Sequence, residues 1–136
     1  VNQYATRNKK LTPALEQIII SAAQATGLDV EIFSGGMTPQ RRTGSDRHLN
    51  GFGADVWVYK DGARQTVNSP DFQAFAQAAK DAGATAIGAG VGYMGAVGLH
   101  IDIAAGNTVA SNSATYWGAS GRSANAPSWL VQIMTS

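Results

Sequence analysis

Apolar residues recur at helical spacing over residues 11–26, where Leu11, Leu15, Ile18, Ile19 and Ala22 fall on one side of a 3.6-residue turn. Thr12-Pro13 supplies an N-cap with proline in the first turn, and Gly27 supplies the stop. The pattern then changes period. Val30 and Ile32 alternate with Glu31 and Phe33 over 29–34, which predicts a strand ended by Gly35-Gly36. Residues 37–48, MTPQRRTGSDRH, read as an exposed loop. A second strand is expected over 54–59, with Asp55, Trp57 and Tyr59 on one face and Ala54, Val56 and Val58 on the other. Asp61-Gly62 is a hairpin turn leading into residues 64–67.

Ser69-Pro70 opens a second helix that turns Phe72, Phe75, Ala76 and Ala79 inward and ends at Gly83. Residues 86–92 form a glycine-rich strand or turn, and residues 97–103, VGLHIDI, a third strand. From Ala104 onward Gly, Ser, Asn and Ala dominate, which reads as a surface loop pinned by Tyr116-Trp117 before a short closing helix over 127–134. No repeat is present and helices and strands mix without regular βαβ alternation, so an α+β domain is expected, a small mainly antiparallel sheet flanked by helices.

Length and composition narrow the function. At 136 residues the chain holds one core and is read as a single domain, 1–136. Charged residues make up 14% with a net charge of +1, and Lys and Arg are scattered, which argues against nucleic acid as a partner. No apolar run approaches the roughly 20 residues that span a bilayer, and no amphipathic, basic or heptad segment marks a membrane surface or a helical partner. A soluble monomer is the expectation. Val1 and the absence of a signal-like start suggest a processed product or an excised domain. With no cysteine, a thiolate ligand and a cysteine nucleophile are both excluded, so a metal would sit on His, Asp or Glu.

The two histidines each stand near carboxylates: His48 lies seven residues before Asp55 in SDRHLNGFGAD, and His100 lies two residues before Asp102 in LHID. A lone strand histidine is ordinarily a core residue. His48, Asp55 and His100 together, however, are the three protein donors that a catalytic zinc site uses while keeping one position for water. Gly51 and Gly53 let the chain fold back between the first two. Strand periodicity puts His100 and Asp102 on one face and Leu99, Ile101 and Ile103 in the core.

SDRHLNGFGAD resembles the Ser-x-x-His-x-x-Gly-x-Ala-x-Asp motif of the zinc D-alanyl-D-alanine carboxypeptidase and L-alanyl-D-glutamate endopeptidase superfamily, whose fold the Hedgehog signalling domain shares. Ser45, His48, Gly51 and Asp55 match, Gly53 takes the usual Ala place, and Ala54 lies next to Asp55. GLHIDI and TYWG are similar to the His-x-Asp and Tyr-Trp elements of the phage and bacterial branch, so the resemblance spans about residues 33–118. It implies Zn2+ on His48, Asp55 and His100, and hydrolysis of an amide bond in peptidoglycan stem peptides, as an endopeptidase or a carboxypeptidase, by a secreted or phage-borne enzyme working in the periplasm or cell wall.

Many relatives carry an acid three residues before the last histidine, and this chain has Val97 there. The base must then be Asp102, Asp46 or an upstream residue such as Glu31. Asp102 is the expectation, with orientation of His100 as its alternative role. Relatives use an arginine near the first histidine to hold a substrate carboxylate. Among Arg41, Arg42 and Arg47, Arg42 or Arg47 is expected to do so, with the others solvated. Ser45 is expected to contact substrate or cap its loop. Tyr93, in GVGYMG, is the expected aromatic contact, whereas Trp57, Tyr116 and Trp117 are as readily core or loop anchors. No helix start follows the Gly-x-Gly elements of ATAIGAGVGYMG, so they read as a wall of the site and not as a nucleotide loop.

Two other readings compete. One is an inactive zinc-binding wall-recognition or virion structural module, motivated by Val97. The other is a metal-free glycan hydrolase using Asp102 and a second carboxylate.

Overall fold

In a computed structural model, the protein is described over residues 9–37, 46–48, 51–103 and 114–136. Helix α1 covers Pro13–Thr26, where Thr12 Oγ1 accepts the Leu15 amide at 3.2 Å and Gly27 closes the end in a left-handed conformation. Strand β1 (Asp29–Ser34) follows, then a 3-10 turn at Asp46–His48 and strand β2 (Gly53–Lys60). Asp61 and Gly62, with φ of 50° and 83°, turn the chain into the two-residue strand β3 (Ala63–Arg64). Helix α2 (Pro70–Asp81) is capped by Ser69, whose Oγ accepts the Phe72 amide. Strands β4 (Ala86–Gly88) and β5 (Gly98–Asp102) lead to β6 (Tyr116–Trp117) and helix α3 (Ser128–Thr135).

The strands form one sheet in the order β1-β2-β5-β4-β6, with β3 paired to β2. All pairings are antiparallel except β4 with β6. The fold is thus α+β, a mixed and mostly antiparallel sheet with three helices among the described residues. Ala54, Val56 and Val58 of β2 and Leu99 and Ile101 of β5 are fully buried in the same core as Leu15, Ile19, Phe72, Phe75 and Leu130 from the helices. Alternation therefore sends the helices to one face, and Asp55, Trp57 and His100 to the other. No helix among the described residues is long and apolar enough to cross a membrane.

Two expectations need correcting. The segment 37–48 is not an exposed loop at its ends, because Met37, Arg47 and His48 are buried at 1%, 2% and 1% exposure. The Met37 amide donates to the His48 carbonyl at 2.9 Å, which closes the segment at its neck. Residues 38–45 lie outside the described set. The aromatic pair Tyr116-Trp117 is not a loop anchor but the sheet's edge strand, pairing in parallel with Ile87 and Gly88. Two residues are too short to show a period, so the pattern carried no strand signal there.

Candidate metal centre

Strand register builds the centre. Asp55 on β2 stands directly opposite His100 on β5, His100 opposite Gly88 on β4, and Gly88 beside Trp117 on β6. These four residues form one row across the sheet on the face away from the helices. Gly88 must lack a side chain because a Cβ there would fall on the Trp117 indole, whose ring lies 5.2 Å from that of His100.

His48 comes from outside the sheet. Its 3-10 turn is carried over β2 at Gly53, where a Cβ would collide with the Arg47 carbonyl and approach His100 Cε1 at 3.3 Å. The motif's small residue is therefore glycine for a steric reason local to this chain. Replacing Gly53 with Ala is expected to lift the turn off β2, costing about 1–3 kcal/mol of stability. Metal affinity should fall as His48 retreats. Urea unfolding together with a zinc titration checks both.

The hydrogen bonds fix the direction of each ring. His48 Nδ1–H donates to the Gly35 carbonyl at 2.7 Å, and since a carbonyl only accepts, Nε2 is left facing Asp55 Oδ2 at 3.3 Å. His100 Nε2–H donates to Asp102 Oδ2 at 2.8 Å, and its Nδ1 faces Asp55 Oδ1 at 2.8 Å. The imidazole centroids are 5.2 Å apart and nearly perpendicular. One nitrogen of each ring is held from behind while the other converges with Asp55. His48, Asp55 and His100 thus form a buried group that could hold a metal ion, with one ligand atom from each within 4.8 Å of the others. The donor set fits such an ion, because imidazoles that ligate metals donate their second N–H to a carbonyl or a carboxylate.

The charges are strongly coupled. Burial would lower the His100 pKa, but hydrogen bonds and charge from Asp102 and Asp55 overcome it and push it up to about 9. Burial would likewise raise Asp55, yet its bonds to His100 and then His48 hold it well below the usual carboxylate range. Asp102, whose burial works in the same direction, is lowered by His100 and by Arg47. Without an ion, the raised His100 pKa favours a charged imidazolium whose Nδ1–H donates to Asp55.

Asp102 is fully buried behind His100, and its carboxylate takes Arg47 Nη1 at 3.0 Å as well as the imidazole. Arg47 also donates to the Ala114 carbonyl and lies 4.5 Å over the Trp117 ring. A guanidinium buried to this degree and bound to Asp102 is not presented to an incoming carboxylate. Arg47 is therefore an internal tie between the His48 turn and the sheet. Glu31 is exposed and accepts the Tyr59 hydroxyl at 3.1 Å. Arg41, Arg42 and Ser45 lie outside the described residues, as does the Asp46 side chain. Tyr93 is half-buried, and its hydroxyl accepts the Trp117 Nε1–H at 2.9 Å. Trp57 stacks on Phe33 at 4.3 Å with Arg64 on its ring at 4.1 Å, which makes it an anchor for the outer face.

Sequence reasoning did not find the supports: the Gly35 carbonyl, the Arg47–Asp102 pair, or Trp117 as the end of the row. A backbone acceptor leaves no sequence signal, and an arginine among three in one polar stretch carries no mark of its partner 55 residues away. The chain matches no family model, no curated protein and no solved structure.

Proposed function

We propose that this protein is a zinc-dependent peptidase that cuts an amide bond in peptidoglycan stem peptides, working at the cell wall as a secreted or phage-borne enzyme. The observation that carries the reading is the donor set: two imidazoles and one carboxylate, three donors among the described residues, with each imidazole braced from behind. Three protein donors suit a catalytic zinc site, whereas structural zinc sites take four. The substrate class comes from the resemblance of SDRHLNGFGAD and GLHIDI to the zinc peptidases.

When bound, zinc would supply Lewis acidity for amide hydrolysis. The chain's own residues do the rest. His48, Asp55 and His100 would hold the ion, and the Gly35 carbonyl and Asp102 fix the two rings. Arg47 in turn holds Asp102 in place. For Asp102 this geometry supports orientation of His100, since the carboxylate is fully buried and binds both the imidazole Nε2–H and the Arg47 guanidinium. Hydrolysis adds water across the C–N bond and leaves a carboxylate and a free amine.

A second reading keeps the ion without the catalysis. Val97 stands where an acid is expected and Asp102 is committed to His100 and Arg47, a pattern that an inactive wall-binding or virion module would also show. Digestion of purified peptidoglycan with the zinc-loaded protein separates the two. Chelator-sensitive release of new amino groups, located by mass spectrometry, supports the peptidase; stoichiometric zinc with no release supports the module; chelator-insensitive reducing ends would point to glycan cleavage. In the same assay Asp102→Asn is expected to weaken zinc binding about 10–100-fold. Its turnover should recover in excess zinc, whereas a lost base would leave affinity intact and turnover absent.

A further inference from the structure

Beyond the ligands and their braces, Tyr93 has a hydroxyl proton that is not used. The Tyr93 oxygen accepts the Trp117 Nε1–H at 2.9 Å, so its own O–H is left to donate, and among the described residues nothing accepts it. Trp117 fixes where that hydroxyl is. The indole Nε1 sits over Gly88, the residue paired with His100, so the phenol oxygen that accepts from it lies on the ligand-bearing face, one strand over from His100.

The backbone around Tyr93 is unusual. Gly92, Met94, Gly95 and Ala96 all have positive φ, at 83°, 48°, 66° and 62°, and two of these are not glycine. Such conformations cost of order 1–3 kcal/mol each in non-glycine residues and persist where a site requires them. The segment is nevertheless fastened, by Tyr93 N–H to the Gly90 carbonyl at 3.1 Å and Ala96 N–H to the Tyr93 carbonyl at 3.0 Å. Strain, a fixed phenol and an unspent donor coincide at the rim of the centre.

We infer that Tyr93 is a catalytic residue whose O–H donates a hydrogen bond to the oxygen of the scissile carbonyl as negative charge gathers there, an inference that rests on the peptidase reading. The role asks the phenol to donate and not to ionise, which is the ordinary state of a tyrosine at neutral pH. Preorganised donors of this kind act where charge develops, which is where a donor lowers the barrier most. Trp117 is then a positioning residue that aims the phenol.

The test is Tyr93→Phe, which keeps the ring and removes the hydroxyl. Three quantities are compared in wild type and variant: zinc affinity by competition with a chelating dye, kcat and KM on a stem peptide, and affinity of the zinc-loaded protein for a phosphinate dipeptide that mimics the tetrahedral species. Expected are unchanged zinc affinity, a kcat loss of about 100-fold with little change in KM, and a comparable loss of phosphinate affinity. Unchanged kcat and phosphinate affinity would overturn the assignment, and so would loss of zinc from the variant, which would make Tyr93 part of the scaffold. Should wild type cleave no stem peptide, the peptidase reading fails by itself, and the phosphinate comparison still decides Tyr93: weaker binding in the variant upholds the donor, equal binding removes it.

Discussion

His100→Ala is expected to abolish zinc binding and, with it, any chelator-sensitive hydrolysis. His100 is the only described residue that touches both carboxylates of the centre, with Nδ1 on Asp55 and Nε2 on Asp102 at 2.8 Å each. Its removal deletes one of three donors and should cost more than the roughly 100-fold that loss of a bracing group costs. The metal-free protein suffers as well. Asp55 and Asp102 stay buried without the imidazolium between them, and stripping one partner from a buried charge cluster costs about 3–5 kcal/mol. His48→Ala should lose the metal equally while destabilising less, because His48 sits on a turn outside the sheet. Calorimetric zinc titration with urea unfolding of both variants checks the pair. A His100→Ala protein that binds zinc like wild type would remove the proposed centre.

The metal-free protein should lose stability as pH rises through the range where His100 titrates. The folded-state pKa is pushed up to about 9 from 6.5, so folding binds a proton that the unfolded chain releases earlier. The contribution is complete below about pH 6.5 and is lost as pH climbs through about 9, amounting to about 3 kcal/mol. Asp55 works in the opposite direction. Its folded pKa is depressed, so its contribution is present above the unfolded value of 3.8 and lost as pH falls further. The two shifts describe one ion pair and are not summed. A metal ion held by His100 and Asp55 would take the place of that proton, so saturating zinc should erase the alkaline loss, and zinc uptake should release a proton. Urea unfolding at pH 6 and pH 9.5, with chelator and with zinc, tests this; identical midpoints in chelator at the two values would contradict the coupling.

Much of this molecule was legible because its elements carry strong local marks. Thr12-Pro13 and Ser69-Pro70 each place a cap and a proline where a helix starts, and both helices begin there. The alternation across Ala54–Tyr59 and Leu99–Ile103 separated core from ligand face, and the fully buried Val56, Leu99 and Ile101 follow it. The convergence of His48 with Asp55 and His100 was foreseen from spacing and motif. Less legible was everything set by pairing between distant strands. The parallel β4–β6 contact, the burial of Arg47 and the steric demand at Gly53 all depend on which segment lies alongside which. No window of the chain contains that information.

The alignment of β2 with β5 has a consequence for how the chain reaches this structure. Asp55 meets His100 in only one pairing. A slip of one residue would leave the two on opposite faces of the sheet, and a slip of two would set His100 opposite Trp57 or Gly53. A divalent cation that binds only the aligned form would lower the free energy of that form alone, so the metal would serve as a proofreader of strand pairing before it served any substrate.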